Sequence, residues 1–533
     1  MCRCFHAHWA LVIGFVCCSE AILHRCLLLF CSLVVTTICL ADDVSSGKTK
    51  RNSGSELWVG AAQREITPPV GFPMSGYFHE RLATETRDPL FAKAFVLEQG
   101  DLQLVWVACD LVGVTRDLYE EVSRESESKH GIPIKHHLIS ATHSHTAPDH
   151  RAHLVKFLQG ELAEADSSYA KSLVQQMVGV IGDAIKNRKR ATVVAGIAEQ
   201  AVPVSFNRRS VMQDGSIQTW QRESNPKRLR AAGPIDDELG IVIAKDASDG
   251  QPFAVCSSFA LHLDTVGGTR WSADYPSIMQ RAVEQECGAE VISLFGAGTC
   301  GDINHVDPSR SERNSTEFIG NALSKTLIEK SKELLTKSID ASAAPTQQLK
   351  YRHSVVPLPL RSISKSEVER AQALVPRARA GEKVAFEDLV AANRTVQLDQ
   401  LLHQTSWIEP SHPANVAPMV AWKGVGDHLP VEVATITLGQ ELALVFLPGE
   451  VFVDLGLAIK RHSPFRNTLV IELTNCSETA YLPTHAAFAQ GSYEVINSRT
   501  QPGAGEKLVA AALSLLRSAA SDPAVARFEN LSE

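Results

Sequence analysis

The stretch LQLVWVACDLVGVTRDLYEEVSRESESKHGIPIKHHLISATHSHTAPDH, residues 102–150, contains the alternation on which the fold assignment rests. Residues 102–109 form a short apolar run bounded by turn residues, which reads as a buried strand. Across 117–129 apolar residues recur at three- and four-residue spacing, the pattern of an amphipathic helix. A second strand follows at 137–141. The same alternation extends in both directions. Further strands are expected at 57–66, 92–98, 192–197, 240–244, 253–261, 291–295 and 468–473, with a hairpin over 431–447 turning about Gly439. Further helices are expected at 169–187, 277–286, 316–335, 387–404, 451–461 and 506–517. Strands interleaved with helices predict an α/β fold, with a mixed buried sheet and flanking helices in one large domain. That domain is placed at 57–520, with a tail at 521–533. No internal repeat is visible in the sequence. Residues 361–403 are charged and helical in pattern, an insertion or subdomain.

Hydrophobic residues make up 44% and charged residues 21% of the 533, the composition of a globular chain, and the formal net charge is −8. A mildly acidic chain without a basic stripe argues against nucleic acid as a partner. Residues 1–41 differ from the rest. Their apolar runs, 9–18 and 26–41, are shorter than the ~20 residues of a spanning helix. The second has the size of a signal-peptide core and ends on the small residues of Cys39-Leu40-Ala41. The expectation is a signal peptide or hydrophobic leader over 1–41 and a polar linker over 42–56. The protein would then be secreted, periplasmic or in the cell envelope, with a retained anchor as the alternative. Seven of the twelve cysteines lie in the leader; the other five are scattered, which suits buried thiols rather than a disulfide framework. Asn314, Asn393, Asn475 and Asn530 open glycosylation sequons that matter only in a eukaryotic secretory host.

Chemistry concentrates after the strand at 137–141. His143 and His145 stand two apart, and in an extended segment both would project to one face at the strand's C-terminal edge. Neutral imidazole is a common zinc ligand. His143, His145, Asp149 and His150 also approximate the H-x-H-x-D-H pattern of metallo-β-lactamases, with two extra residues before the aspartate. Gly296, Gly298 and Gly301 spell G-x-G-x-x-G, but a polar, Pro-broken segment follows instead of the helix that a dinucleotide site requires. Three other segments carry candidates: SSFALHLDT with His262 and Asp264, the Pro448-Gly449-Glu450 turn between a strand and a helix, and the 472–495 loop with Tyr481 and Tyr493. Singly, each has a structural explanation: a core histidine, a helix-capping carboxylate, packed tyrosines.

Together and in order, these segments resemble the catalytic domain of the neutral/alkaline, non-lysosomal ceramidase family. The motifs are VGAAQREITPPVGFPMSGY (59–77), ATHSHTAP (141–148), Asn207-Arg208-Arg209-Ser210, FALH (259–262), Pro448-Gly449-Glu450, TNCSETAYLPT (474–484) and Tyr493-Glu494. The resemblance implies that Zn2+ is held by His143, His262, Glu450 and Tyr481. It places His145, Arg208 and Tyr493 around the carbonyl of a small-molecule or lipid-like acylated substrate, with peripheral membrane contact allowed. The implied reaction is metal-assisted hydrolysis of an amide or ester bond. There are departures. The family's Gly-Asp-x-Ser-Pro-Asn segment here reads Gly301-Asp302-Ile303-Asn304-His305, so Asn304 replaces a serine and can position water but cannot act as a nucleophile. The Tyr-Glu-Gly-Ala-Ser-Thr stretch has become Tyr493-Glu-Val-Ile-Asn-Ser, and the family's C-terminal immunoglobulin-like domain is expected to be absent. A silent zinc-containing binding protein on the same fold is therefore a second expectation, and an acylated substrate other than ceramide a third.

Overall fold

Eight strands form the larger sheet: β1 Trp58–Glu65, β2 Phe91–Gln99, β3 Leu102–Cys109, β4 His137–Ala141, β5 Lys189–Glu199, β6 Glu238–Asp246, β7 Pro252–Phe259 and β8 Ile292–Ala297. The computed structural model describes residues 56–158, 168–336, 347–403 and 424–521. The leader at 1–41, most of the linker and Asn530 lie outside those residues. The strand order is β4-β3-β2-β1-β5-β6-β7-β8. Pairing is antiparallel except at the two ends, where β3 runs parallel to β4 and β7 parallel to β8. A second sheet holds β9 Leu349–Pro359, β10 His428–Leu438, β11 Leu442–Phe446 and β12 Asn467–Ile471, in that order, with β11 and β12 parallel.

Each parallel pair is joined by a helix, as parallel strands require. These crossovers are α1 Arg116–His130, α2 Tyr275–Cys287 and α3 Val453–His462. The chain thus repeats one topology three times: two antiparallel pairings, then a helical crossover into a parallel partner. No sequence repeat accompanies it, because a topology constrains only where apolar residues fall, not which ones they are. The helix α1 is bounded by local chemistry. The Thr115 side chain accepts from the Leu118 N–H, and Gly131 takes the left-handed conformation (φ 74°) that ends the last turn.

The two sheets face each other. Val59, Phe95, Leu97 and Trp106 of the larger sheet share one core with Ile436, Leu444, Phe446 and Ile471 of the smaller. Trp106 meets Phe446 edge-on at 5.7 Å and donates its indole N–H to Ser140 Oγ at 2.9 Å. The outer faces are covered by helices. Ser168–Lys186 packs on β1 and β2, α2 and Thr316–Thr336 cover β6 to β8, and Ala504–Ala520 lies on β9 and β10. The mixed α/β expectation holds, and its strand ends are met to within a few residues. β9 was not foreseen: its apolar positions are interrupted by Lys350, Arg352, His353 and Pro357. Pro357 is tolerated there because β9 is an edge strand.

The five cysteines at 109, 256, 287, 300 and 476 are free thiols, four of them fully buried. Asn314, Asn393 and Asn475 are also buried, so their sequons do not offer a surface acceptor in the folded chain. No described helix is long and apolar enough to cross a membrane.

Candidate active site

The candidate metal ligands and His145 come from segments leaving the C-terminal edge of a parallel pair. His143 and His145 follow β4, His262 follows β7, Glu450 follows β11 and Tyr481 follows β12. Short backbone pairings then fix these segments to one another. Ser144 bridges to Leu263, the His145 N–H donates to the Leu263 carbonyl at 2.9 Å, and Glu450 pairs directly with Tyr481 in a two-residue parallel ladder.

The two histidines of the His-x-His motif do converge, but not as an extended segment. His143 sits at φ 74°, a left-handed conformation that a non-glycine residue adopts only when its surroundings compel it. Its N–H is held by the Leu111 carbonyl at 2.9 Å, and its Nδ1 lies 2.7 Å from the Val112 carbonyl. The consequence is a kink that swings its ring to within 3.4 Å, Nε2 to Nε2, of His145. His262 is anchored in the same way, with Nδ1 2.8 Å from the Cys300 carbonyl. In both His143 and His262 the Nδ1 proton is therefore committed to a main-chain oxygen, and the Nε2 lone pair faces the centre.

Glu450 Oε2 lies 3.4 Å from His143 Nε2 and 3.3 Å from His262 Nε2. It is buried and has no hydrogen-bond partner. Burial pushes His262 down to about 3 and His145 down to about 4, so both are neutral at pH 7. The three histidines offer ligand atoms within 4.8 Å of one another. His145, assigned by resemblance to the substrate side, is thus as near His143 as Glu450 is. Its Nδ1 is buried without a hydrogen bond, 3.9 Å from Asp264, and Asp264 in turn accepts from the Tyr77 hydroxyl.

Arg208 closes the site from the other side. Its guanidinium lies 3.3 Å from His262 Nε2 and donates to the Tyr481 hydroxyl at 3.1 Å and the Gly301 carbonyl at 2.7 Å. Glu494 fixes it from behind at 2.8 Å and also takes Arg209 at 2.8 Å. Burial raises the Tyr481 hydroxyl well above its ordinary pKa and Tyr493 to about 12, which keeps the phenols protonated in the metal-free chain. Tyr493 forms the mouth with Trp220 (centroids 4.7 Å) and Phe386 (6.0 Å, stacked), and Phe78 meets Phe386 edge-on. Trp220 and Phe386 are about half exposed, an apolar lip on an open cavity.

Asn304 is brought into the same region of the fold but not into the cavity wall. It is buried, pairs with Phe206 in a short ladder, and accepts the Val306 N–H on Oδ1 at 3.1 Å. The metallo-β-lactamase alternative loses its aspartate, because Asp149 is bound through both carboxylate oxygens by Arg151 at 3.0 and 3.3 Å. The G-x-G-x-x-G glycines have a packing reason. A Cβ on Gly301 would stand 2.7 Å from the Glu450 carbonyl, so its absence lets the ligand-bearing strand approach. Sequence reasoning missed the aromatic lip and two cavity arginines, Arg394 and Arg499; no local motif marks any of them.

Residues 57–304 match the family model described as neutral/alkaline non-lysosomal ceramidase, N-terminal. That span contains His143, His145, Arg208, His262 and Asn304; Glu450, Tyr481 and Tyr493 lie beyond it. The crystal structure of neutral ceramidase from Pseudomonas aeruginosa is similar over 87% of this chain and 75% of that one, with a TM-score of 0.60 at 17% identity. A ceramidase complexed with C2 gives a TM-score of 0.61 at the same identity and coverage. At such identity the structural likeness establishes the fold. The matched family is the one that the sequence motifs resemble.

Proposed function

We propose that this protein is an exported, zinc-dependent hydrolase that cleaves an amide or ester bond in an acylated, lipid-like substrate. One observation carries the metal assignment. The Glu450 oxygen and the imidazole nitrogens of His143 and His262 face one another at 3.3–3.4 Å, and both imidazoles have their Nδ1 protons directed at main-chain carbonyls. Lone pairs so opposed repel unless a cation lies among them, and two imidazoles with a carboxylate and the Tyr481 phenol suit zinc. A zinc ion held by these four would supply a Lewis acid beside the scissile carbonyl and lower the pKa of water there.

The chain's own residues provide the rest. Arg208 keeps a permanent positive charge beside Tyr481 and His262, where it stabilises the oxyanion that develops as the carbonyl is attacked. His145, neutral and backed by Asp264, is placed to accept a proton from the attacking water. Tyr493 presents a protonated phenol at the cavity wall as a hydrogen-bond donor to the substrate. Trp220, Phe386 and Phe78 offer an apolar lip for the acyl chain and for peripheral contact with a membrane. Export rests on the apolar core and small residues at 26–41.

The test is metal content with turnover. About one zinc per chain is expected, lost in both His143→Ala and His262→Ala, with hydrolysis of acyl-amide or ester panels lost alongside it. Full zinc retention in both variants refutes the site. Replacement of the family's serine by Asn304 favours a second reading, a silent zinc-containing binding protein; it predicts bound zinc without turnover, and turnover abolished by Glu450→Ala excludes it.

A further inference from the structure

The cavity that His143 and Glu450 line is also lined by Arg394 and Arg499. Neither has a carboxylate ion-pair partner among the described residues. Arg394 donates from Nε to Asn497 Oδ1 at 2.6 Å and from Nη1 to Gln397 Oε1 at 2.5 Å. Arg499 donates from Nη1 to the Glu478 main-chain carbonyl and from Nη2 to that same Gln397 Oε1. Two guanidinium ions thus share one neutral amide oxygen. Arg499 is only 6% exposed, and its Nε–H is buried with no acceptor. A buried donor on a charged group is a costly feature to leave unmatched.

Three acids, Asp117, Glu450 and Glu478, share the cavity wall with the pair, and no ion pair joins any of them to it among the described residues. Glu478 turns its Oε1 to the Arg116 N–H, and burial raises its pKa to about 7. Asp117 sits in the first turn of α1, where the helix dipole favours its charge. Arg151, also in the wall, is matched by Asp149. Burial, with repulsion from Arg394 and Arg151, outweighs the attraction of Glu478 and lowers Arg499 to about 9. Arg394 and Arg499 thus stand together in the cavity wall around one neutral amide oxygen.

We infer that this end of the cavity holds an oxyanion carried by the substrate, gripped by Arg394 and Arg499 while the acyl carbonyl lies at the metal ligands. The inference rests on the hydrolase reading above and narrows its substrate class. Anionic N-acyl compounds, such as N-acyl amino acids, are favoured over neutral ones. Guanidinium pairs suit this task because their forked donors match the two oxygens of a carboxylate or the edge of a phosphate.

Two measurements on the purified full chain test it. The first is calorimetric titration with sulfate, a weak metal ligand. Saturable binding is expected in the wild type, weakened at least ~10-fold in Arg394→Gln and partly kept in Arg394→Lys, as for charge-assisted hydrogen bonds. Arg394 is half-buried on a helix, so its replacement is the milder test of the pair. The second is the ratio of kcat/KM for N-lauroylglycine over N-lauroylglycinamide, expected at ~10 or more and falling toward 1 in Arg394→Gln. Absence of saturable sulfate binding, or binding unchanged in Arg394→Gln, overturns the inference. Sulfate binding without the substrate preference also overturns it, in favour of a site for free anions. If neither substrate is hydrolysed, the hydrolase reading fails by itself. Displacement of sulfate by N-lauroylglycine but not by the glycinamide then upholds the anion site, and displacement by neither refutes it.

Discussion

Replacing Glu494 by glutamine removes one charge and almost no volume, at a position where the charge neutralises two buried cations. The Glu494 carboxylate is fully buried. It accepts from Arg208 Nε at 2.8 Å, Arg209 Nη1 at 2.8 Å and Thr219 Oγ1 at 3.1 Å. Arg208 and Arg209 are themselves only 7% and 2% exposed. A glutamine amide has one oxygen for these donors and turns an NH2 group toward the others, so at least one guanidinium is left facing a donor. Breaking a buried pair in this way costs about 3–5 kcal/mol. Thr219→Val, which deletes only the neutral hydroxyl bond, should cost about 1 kcal/mol. The assay is urea unfolding followed by intrinsic fluorescence. For a domain of this size, Glu494→Gln should lower the midpoint by about 1 M with an unchanged slope, since m grows with the surface exposed. Arg208 would also lose its anchor beside Tyr481, so kcat should fall more than the fraction unfolded accounts for. A midpoint shift no larger than that of Thr219→Val would refute the reasoning, because the two arginines would then have other means of neutralisation.

Gly76 stands at φ 100°, and a Cβ there would lie 2.8 Å from the His145 side chain, so Gly76→Ala should displace that ring. The expected result is at least a tenfold loss of kcat/KM with zinc content retained; undiminished turnover would show that His145 is not held by this turn. Stability should also fall in mild acid. Burial depresses His137 to about 4, His150 to about 3 and His305 to about 4, so the unfolded chain binds more protons below its own histidine pKa near ~6.5. Their contribution is complete above that value and lost as pH falls toward 4, at roughly 1.4 kcal/mol per pH unit for each, or about 4 together. Unfolding free energies that stay flat between pH 6.5 and 4.5 would contradict those depressed values.

Some of this protein is determined by the sequence alone. Period-two and period-3.6 apolar patterns are local, so β3, β4 and α1 were legible within a residue or so, as was the helix Thr316–Thr336. The strand β9 was not, because an edge strand with one face near solvent tolerates lysine, arginine and proline and loses the pattern. The candidate ligands were legible as an ordered set of motifs, and His143, His262 and Glu450 each sit within a few residues of the end of a strand. The convergence of those residues belongs to the tertiary structure. It depends on three parallel crossovers directing their C-terminal edges to one place, on Gly301 admitting the Glu450 backbone, and on the left-handed kink at His143. The arginine pair beside them is tertiary in the same sense. Arg394 and Arg499 stand on separate elements a hundred residues apart, and only the packing of Phe386–Leu402 against the final loop brings like charges onto one amide oxygen. Sequence records which groups exist and how each short segment bends; long-range packing decides which of them must share a solvent-poor volume, and there electrostatics dictates the chemistry.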